Sequence, residues 1–529
     1  MNWDLPYPSR RQPVLARNVV ATSQPLAVQA GIAALERGGN AVDAALAAAI
    51  TLVVVEPTNN GLGSDAFAII STPGPSPRLH GINASGRSPA KLDADRLAAA
   101  DKMPLLGWDA VTVPGAVSCW VDLSRRFGRL PFADLFERAI RYARDGFAVS
   151  PVTAQLWATV APLYASMPSF AAAFLPGGRA PQAGETFRLP ELATSLERIA
   201  RSDGEDFYRG DLAASIAKHA ASEGAALVMS DLESHALEEV DTISTPFRDH
   251  TLHELPPNGQ GLAALIALGV LEHASDGELD PDSAEGMHLQ IEAMKIGFAE
   301  VHAHLGDPEN MRVTCAELLA DDYLRRQASG IDRDRASNHS SAIAPRGGDT
   351  VYLTAADADG MMVSFIQSNY FSFGSGIVVP GTGISLQNRG AGFATGADHP
   401  NRVAAGKRPF HTIIPAFVTE GSEPLMSFGV MGGAMQPQGH LQVMVRMSAG
   451  HGPQAALDAP RWQVSEDDPL GVAVEAAVPD AVVADLERRG HRIRRLGPEW
   501  FGGGQAALRH GDGYVAASDP RKDGHAGGF

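Results

Sequence analysis

The sequence of 529 residues contains little cysteine and comparatively little positive charge. Cys119 and Cys315 are the two cysteines, too few for a disulfide framework or a thiolate metal cluster, and they give no sign of an oxidising compartment. Lys and Arg number 43 against 61 Asp and Glu, which leaves a formal net charge of −18. An acidic balance spread along the chain argues against nucleic acid or an anionic membrane as a partner.

Long apolar runs are also missing. The most apolar segment, residues 44–55, spans 12 residues and includes Thr51, whereas a helix that crosses a bilayer needs about 20. Near the N-terminus, Asp4 and Pro6 stand where a secretion signal would place basic residues and then an apolar core. We therefore expect a cytoplasmic protein that does not insert into a membrane.

The remaining composition is that of a globular protein with many turns: 44% of residues are hydrophobic, with 55 glycines and 36 prolines. Hydrophobic spacing predicts a helix at residues 25–37 capped by Ser23, a second helix capped by Asn40, and a long helix at residues 284–305. Strands are predicted at residues 66–71, 350–356, 361–368 and 412–419, and residues 325–348 have the polar composition of a linker.

The end of that linker carries the most informative residue, Thr350, which follows Gly347, Gly348 and Asp349. A threonine hydroxyl is a poor nucleophile without a neighbouring base, and the nearest base is the residue's own α-amine. That amine is free only if the Asp349–Thr350 bond is cut, and its pKa near neutrality then suits it to accept the hydroxyl proton. The pattern suggests a self-cleaving precursor, although a simple loop-to-strand boundary has the same local sequence.

Motifs along nearly the whole chain decide between these two interpretations. The motifs are Gly38-Gly39-Asn40-Ala41-Val42-Asp43, Val113-Pro114-Gly115-Ala116-Val117, Ile291-Glu292-Ala293-Met294-Lys295, Leu305-Gly306-Asp307-Pro308, Gly348-Asp349-Thr350, Phe373-Gly374-Ser375-Gly376, Lys407-Arg408-Pro409 and Gly432-Gly433. In their order and spacing, these motifs resemble those of the γ-glutamyltranspeptidase family of N-terminal nucleophile hydrolases.

The resemblance implies an α+β fold, a four-layer αββα sandwich. It also implies autocleavage at Asp349–Thr350 into a large subunit, residues 1–349, and a small subunit, residues 350–529, which stay associated. Thr350 would be the nucleophile, and Gly432 and Gly433 would form the oxyanion hole with their N–H groups. Ser368 stands where the family has a second threonine that hydrogen-bonds the nucleophile. The resemblance implies no cofactor.

The residues that bind the amino-acid end of a glutamyl substrate in the family are replaced here. Ser85 stands in place of the arginine that holds the α-carboxylate, and Gly390-Ala391-Gly392 offers no acidic residue for the α-amine. His411-Thr412 replaces a pair of serines, and Tyr370 replaces an asparagine. The candidate substrate-binding residues are Arg87, Asn369, Tyr370, Arg389, His411 and Thr412.

These departures suggest a divergent branch similar to oxamate amidohydrolase and the glutaryl-cephalosporin acylases. We expect hydrolysis of a small anionic amide, with oxamate as the first choice. The alternatives are a γ-glutamyltranspeptidase or glutathione hydrolase, a glutaryl-amide acylase, and an unprocessed binding protein. The processed unit could form a homodimer.

Three further features are expected to be structural. His250, His253 and Glu254 fit no common zinc spacing, so no metal is expected. Residues 502–504, three glycines, lack the strand and helix of a phosphate-binding loop and are predicted to form an ordinary loop. His440 could line the site or serve as a hydrogen-bonded structural histidine.

Overall fold

The computed structural model describes residues 10–74, 76–275, 277, 279–338, 349–465 and 468–529, with only the backbone described at Asp349. Of the linker predicted at residues 325–348, residues 339–348 lie outside the described residues. Its first residues are helical instead, because Leu324 and Ala328 are buried against neighbouring apolar helices and the Asp321–Arg325 ion pair joins adjacent turns.

Helices occur in the described ranges before residue 339 and again after residue 434. They are α1 (Pro25–Glu36), α2 (Ala41–Val55), α3 (Ala94–Ala98), α4 (Ala116–Phe127), α5 (Glu137–Asp145), α6 (Pro151–Tyr164), α7 (Pro168–Phe174), α8 (Pro190–Arg201), α9 (Glu205–Arg209), α10 (Asp211–Ser222), α11 (Met229–Glu233), α12 (Gly261–Ala274), α13 (Ala284–His304), α14 (Cys315–Leu318), α15 (Asp321–Ala328), α16 (Met435–Ser448), α17 (Pro453–Asp458) and α18 (Asp480–Arg488).

The strands are mostly short. They are β1 (Val14–Ala16), β2 (Val19–Thr22), β3 (Asp65–Thr72), β4 (Arg78–Asn83), β5 (Phe147–Ala148), β6 (Thr186–Phe187), β7 (Glu238–Val240), β8 (Ile243–Phe247), β9 (His250–Glu254), β10 (Asp349–Ala356), β11 (Met362–Tyr370), β12 (Val378–Val379), β13 (Ile384–Ser385), β14 (Ala416–Glu420), β15 (Glu423–Met431), β16 (Trp462–Val464), β17 (Gly471–Glu475), β18 (Arg492–Leu496), β19 (Gly503–His510), β20 (Gly513–Ser518) and β21 (His525–Gly528).

Two antiparallel sheets organise the described chain. The β10 sheet has the strand order β21-β2-β10-β11-β3-β4-β7, and the β15 sheet has the order β1-β20-β19-β15-β14-β9-β8. Strand β10 therefore lies between β2, from the N-terminal part of the chain, and β11. Each sheet contains strands from both sides of the Asp349–Thr350 bond.

Alternation along the strands gives each sheet two buried faces. Tyr352 and Ile366 of the β10 sheet pack with Phe417 and Met431 of the β15 sheet in one apolar cluster. The opposite face of the β10 sheet packs with α1 and α2, and the opposite face of the β15 sheet packs with α12, α13 and α16. The mixed helix and sheet fold is confirmed.

The prediction of α2 is confirmed in detail. The Asn40 side chain accepts hydrogen bonds from the amides of Val42 and Asp43, and the Asp43 carboxylate accepts one from the Asn40 amide, which completes a capping box. Every residue of α2 is buried, as an apolar helix on the inside of a large fold requires. Ser23, in contrast, does not cap α1: its hydroxyl donates to Glu56 at 2.5 Å, and Gln24 takes the N-cap position.

Two predictions are wrong, one of a strand and one of a loop. Residues 412–415 do not join β14, because the amides of Ile413 and Ile414 donate to the side chains of His411 and Gln436 instead of a strand. Gly503 and Gly504 are not loop residues but begin β19, paired with Met431 and Val430.

Candidate active site

The strand β10 begins with an irregularity at Thr350. Asp349 pairs with Tyr370 and Val351 with Gln367, so Thr350 alone lies opposite Ser368 and Asn369 of β11. Such a bulge breaks the regular ladder and can redirect a side chain. The structure thus places an irregular backbone at the residue predicted to be the nucleophile.

Thr350 and Ser368 are in direct contact. Thr350 Oγ1 donates to Ser368 Oγ at 3.1 Å, and both residues are almost completely buried. Ser368 Oγ also accepts the amide N–H of Tyr370 at 2.8 Å. Tyr370 has a φ of 84°, a left-handed conformation that is costly for an aromatic residue and tends to occur at functional sites.

Contacts between the two sheets relate positions on β10 to positions on β15. Thr354 and Ser427 are joined by a hydroxyl–hydroxyl hydrogen bond of 2.5 Å, and the ring of Tyr352 lies directly over Gly429. Moving two residues along β10, from Thr354 to Tyr352, therefore corresponds to moving two residues along β15, from Ser427 to Gly429. The same spacing, extended by one further step, predicts that Thr350 lies opposite Met431, beside Gly432.

The Gly432-Gly433 pair forms the turn between β15 and α16. Both residues have positive φ, 126° and 59°, where a side chain would be strained. Within the described residues, neither amide N–H donates to a protein acceptor, and the pair immediately precedes the N-terminus of the 14-residue helix α16. Free N–H groups and a helix N-terminus both favour a negatively charged atom at this position.

Gln260 supports the glycine turn and was missed by the sequence reasoning. Its Nε2 donates to the carbonyl of Gly433 at 2.8 Å and to that of Thr412 at 2.6 Å. Gln260 is the N-cap residue of α12 and is 1% exposed. No signal in the sequence distinguishes this glutamine, because its two partners lie more than 150 positions away.

Three of the candidate substrate-binding residues form one buried group. Arg389 Nη1 donates to Thr412 Oγ1 at 2.8 Å, and the Arg389 guanidinium stacks 4.3 Å from the ring centre of Tyr370. Burial lowers the pKa of Arg389 to about 10, while Asp65 and Tyr370 oppose that shift. The guanidinium therefore stays charged at neutral pH.

His411 pairs with Asp65, a second residue that the sequence reasoning did not select. His411 Nε2 lies 3.1 Å from Asp65 Oδ2, and His411 Nδ1 accepts the Ile413 amide, so the proton is on Nε2. Burial, reinforced by Arg389, lowers the pKa of His411 well below its usual value and keeps the ring neutral. Burial also raises the pKa of Asp65 to about 7, against the opposing influence of Arg389 and of backbone amides.

Asn369 and Arg87 lie outside this group. Asn369 is buried with Oδ1 accepting from Ser64 Oγ at 2.9 Å. Arg87 forms ion pairs with Asp307 at 2.9 Å and Glu238 at 3.6 Å. Asp349, the predicted cleavage partner, is described only as the backbone residue that pairs with Tyr370.

The histidines weighed for other roles have structural partners. His440 Nδ1 lies 2.6 Å from Glu254, and His440 Nε2 accepts the amide of Val430. His253 Nε2 lies 3.1 Å from the hydroxyl of Thr419. These contacts tie β9 to β14 and α16 to the β15 sheet.

One other buried group has the residue types of a metal centre. His288, Glu292 and His491 offer ligand atoms within 4.8 Å of one another. The Lys295 ammonium, however, donates to Glu292 at 2.8 Å and to the Ser337 carbonyl at 3.2 Å. Because this ammonium already neutralises the carboxylate, the group is better suited to hold the chain near Ser337 than to bind a cation.

The role of Ser368 can be tested by removing its hydroxyl. We expect Ser368→Ala to fold and to slow both maturation and turnover by about 2- to 13-fold, the equivalent of one uncharged hydrogen bond of about 0.5–1.5 kcal/mol. Ser364→Ala is the matched control, since Ser364 is a buried serine of the same strand that hydrogen-bonds Tyr352 at 2.8 Å. Equal rates of maturation and of amide hydrolysis for the two variants would show that Ser368 does not support Thr350.

Comparison with known proteins places the chain in a family. Residues 27–529 match the model of the γ-glutamyltranspeptidase family, and the chain belongs to that family. The Glutathione hydrolase-like YwrD proenzyme of Bacillus subtilis is 36% identical over 521 residues, which cover 97% of this chain and 98% of the relative. The oxamate amidohydrolase proenzyme of Klebsiella pneumoniae is also 36% identical, over 95% of this chain and 97% of that protein.

A solved structure confirms the fold. The crystal structure of cephalosporin acylase from Bacillus halodurans superposes with a TM-score of 0.94 at 44% identity, covering 100% of this chain and 99% of the acylase. The resemblance inferred from the motifs is therefore confirmed. None of the helices in the described ranges combines the length and apolar character that crossing a bilayer requires.

Proposed function

We propose that this protein is an autoprocessed amidohydrolase whose nucleophile is Thr350 and whose substrate is a small anionic amide. The observation that carries the proposal is the hydrogen bond from Thr350 Oγ1 to Ser368 Oγ beside an irregularity in the pairing of β10 with β11. The names of the similar proteins support it, since two of them are called proenzymes and one an acylase. The packing of helices outside two facing sheets supports an αββα sandwich.

Maturation begins when Thr350 Oγ attacks the carbonyl carbon of Asp349. The peptide C–N bond breaks as the ester forms, so the acyl group moves from nitrogen to oxygen. Water then hydrolyses the ester and leaves a carboxylate on Asp349 and a free α-amine on Thr350. Residues 1–349 and 350–529 stay together because each sheet contains strands from both of them.

Turnover uses the same hydroxyl on a substrate amide. The α-amine of Thr350 accepts the hydroxyl proton as Oγ attacks, and it later donates that proton to the leaving amine. The N–H groups of Gly432 and Gly433 stabilise the oxyanion, an interaction that typically contributes about 3–4 kcal/mol for one donor. Water then hydrolyses the threonyl ester, which releases the acid and restores the N-terminal threonine.

The substrate is proposed to be an anion without an α-amine. Ser85 and residues 390–392 lack the charged groups that would recognise a glutamyl amino acid. Oxamate, which would yield oxalate and ammonia, is the first choice, in line with the name of the Klebsiella relative. A glutaryl amide is second, and the Bacillus subtilis relative's name makes a glutathione hydrolase the alternative.

A steady-state comparison of three substrates tests this choice. Oxamate is expected to give the highest kcat/KM, followed by glutaryl-p-nitroanilide. γ-Glutamyl-p-nitroanilide should be about 10²- to 10⁴-fold poorer than with a dedicated transpeptidase, because two charge-assisted contacts of about 1.5–3 kcal/mol each are missing. A preference for the γ-glutamyl compound, accelerated by glycylglycine as acceptor, would establish a transpeptidase instead; absence of hydrolysis and of self-cleavage would indicate a binding protein.

A further inference from the structure

We propose that Arg389 binds the carboxylate of the substrate through the edge formed by its Nε and Nη2 atoms. This inference rests on the proposed amidohydrolase function and deepens it by naming the group that selects the substrate. It begins from an unusual property of Arg389. The residue is 0% exposed, yet within the described residues Nε and Nη2 have no hydrogen-bond partner.

The comparison with another buried arginine shows why this matters. Arg461, 2% exposed, donates to the Asp519 carboxylate at 2.6 Å and to the Phe501 carbonyl at 2.8 Å. Buried guanidinium groups are expected to be paired in this way, because a charged donor without an acceptor is costly. Arg389 has only its Nη1 donor satisfied, by Thr412. An acceptor is thus missing from the opposite edge.

The geometry of that edge specifies the acceptor. Nε–H and one N–H of Nη2 point in the same direction from the planar guanidinium, and two parallel donors match the two oxygens of a carboxylate. Tyr370 stacks on the guanidinium at 4.3 Å and holds its plane. A carboxylate would therefore bind in the plane of the guanidinium, with both oxygens engaged.

Arg389 is also connected to the proposed nucleophile. Tyr370, on which it stacks, donates its amide to Ser368 Oγ, and Ser368 Oγ accepts from Thr350. Thr412 Oγ1 accepts a hydrogen bond from Arg389 Nη1. The carbonyls of Thr412 and Gly433 both accept hydrogen bonds from the side chain of Gln260. The free edge is thus held by the same residues that support the nucleophile and the glycine turn.

Other cations near these segments are already engaged. Arg87 pairs with Asp307, and Arg408 Nε donates to the Ser85 carbonyl at 2.9 Å. Lys407 Nζ donates to the carbonyls of Pro400 and Arg402. Of these four cations, Arg389 is the one with two buried donors left unpaired in the described part of the chain.

The surroundings of Arg389 also disfavour an amine on the substrate. Asp65 acts on Arg389 electrostatically, but its Oδ2 is paired with His411 and its Oδ1 accepts the Gly86 amide at 3.2 Å. It is therefore not available to an ammonium group. The class of substrate is an amide that carries a carboxylate and no neighbouring amine.

The test compares each anionic substrate with a neutral partner: oxamate with oxamide, and glutaryl-p-nitroanilide with butyryl-p-nitroanilide. Arg389→Gln is expected to lower kcat/KM for the anionic member of a pair about 100-fold or more and to change the neutral member only a few-fold. Arg389→Lys should fall between, since it keeps the charge without the fork. Guanidinium ion added to Arg389→Ala should restore part of the loss.

Folding and the rival arginine are controlled in the same experiment. Self-cleavage and circular dichroism report whether each variant folds. If Arg389→Gln does not fold, Arg389→Lys replaces it in the comparison. An unchanged anionic-to-neutral ratio in the folded Arg389 variants would overturn the proposal, as would loss of that ratio in Arg87→Gln. If the wild-type protein hydrolyses none of these amides, calorimetric binding of oxalate decides independently: loss of binding in Arg389→Gln supports the subsite, and equal binding rejects it.

Discussion

Replacement of Thr350 by alanine is expected to leave a single chain of 529 residues that hydrolyses no amide. The wild-type protein should instead separate on a denaturing gel into fragments of about two-thirds and one-third of the chain. N-terminal sequencing of the smaller fragment should begin Thr-Val-Tyr-Leu. The reason is that, in the proposed mechanism, the hydroxyl of Thr350 is the attacking group in both maturation and turnover, and alanine has no hydroxyl.

Thr354→Ala is the matched control for this variant. Thr354 is a buried threonine on the same face of β10, and its hydroxyl is hydrogen-bonded to Ser427 at 2.5 Å. It should be cleaved and active, while Thr350→Ser should retain some cleavage because it keeps a hydroxyl. A fully active protein that remains one chain would disprove the assignment of Thr350.

Gly433→Ala is expected to have the second largest effect, a loss of about 10²- to 10³-fold in kcat, the usual result of losing one oxyanion donor. The φ of Gly433 is 59°, so a Cβ strains the turn and shifts the N–H that is proposed to stabilise the oxyanion. Intact-mass analysis would show the extent of maturation, and single-turnover kinetics would separate acylation from substrate binding.

Gly450→Ala is the control for backbone strain alone. Gly450 has a φ of 84°, a Cβ there would meet no atom within 4 Å, and the residue lies at the far end of α16 from the site. It should lose about 1 kcal/mol of stability and keep its turnover. If Gly433→Ala is as active as Gly450→Ala, the oxyanion is stabilised elsewhere.

The features that were predicted correctly from the sequence are those that depend on residues close together in the chain. The capping box at Asn40 and the apolar spacing of α13 depend on residues within a few positions of each other, and both predictions are confirmed. The prediction that Ser23 caps α1 is wrong because the Ser23 hydroxyl donates to Glu56, which is 33 positions away in the sequence. Glu56 also accepts a hydrogen bond from Asn59 at 2.6 Å. A local rule cannot anticipate a partner brought close only by the fold.

The same limit applies to the candidate site. Motif order pointed to Thr350, Ser368 and the glycine pair, and the structure brings the first two into contact. The bulge opposite Ser368 could not be predicted, because a register shift of one residue depends on pairing between two strands. Asp65 and Gln260 were missed because an aspartate in a turn and a glutamine before a helix have no distinctive spacing.

Because each sheet contains strands from both sides of the Asp349–Thr350 bond, cleavage has a consequence for recovery after unfolding. Strand β10 is paired on one side with β2 and on the other with β11, and β8 and β9 complete the sheet that contains β15. While the chain is intact, all these strands refold as parts of one molecule, at a rate that does not depend on dilution. After the Asp349–Thr350 bond is cut, two separate polypeptides must meet before either sheet can close, so renaturation becomes a second-order process that slows as the protein is diluted. The cut enzyme would then persist because it unfolds slowly, and not because it can readily assemble again.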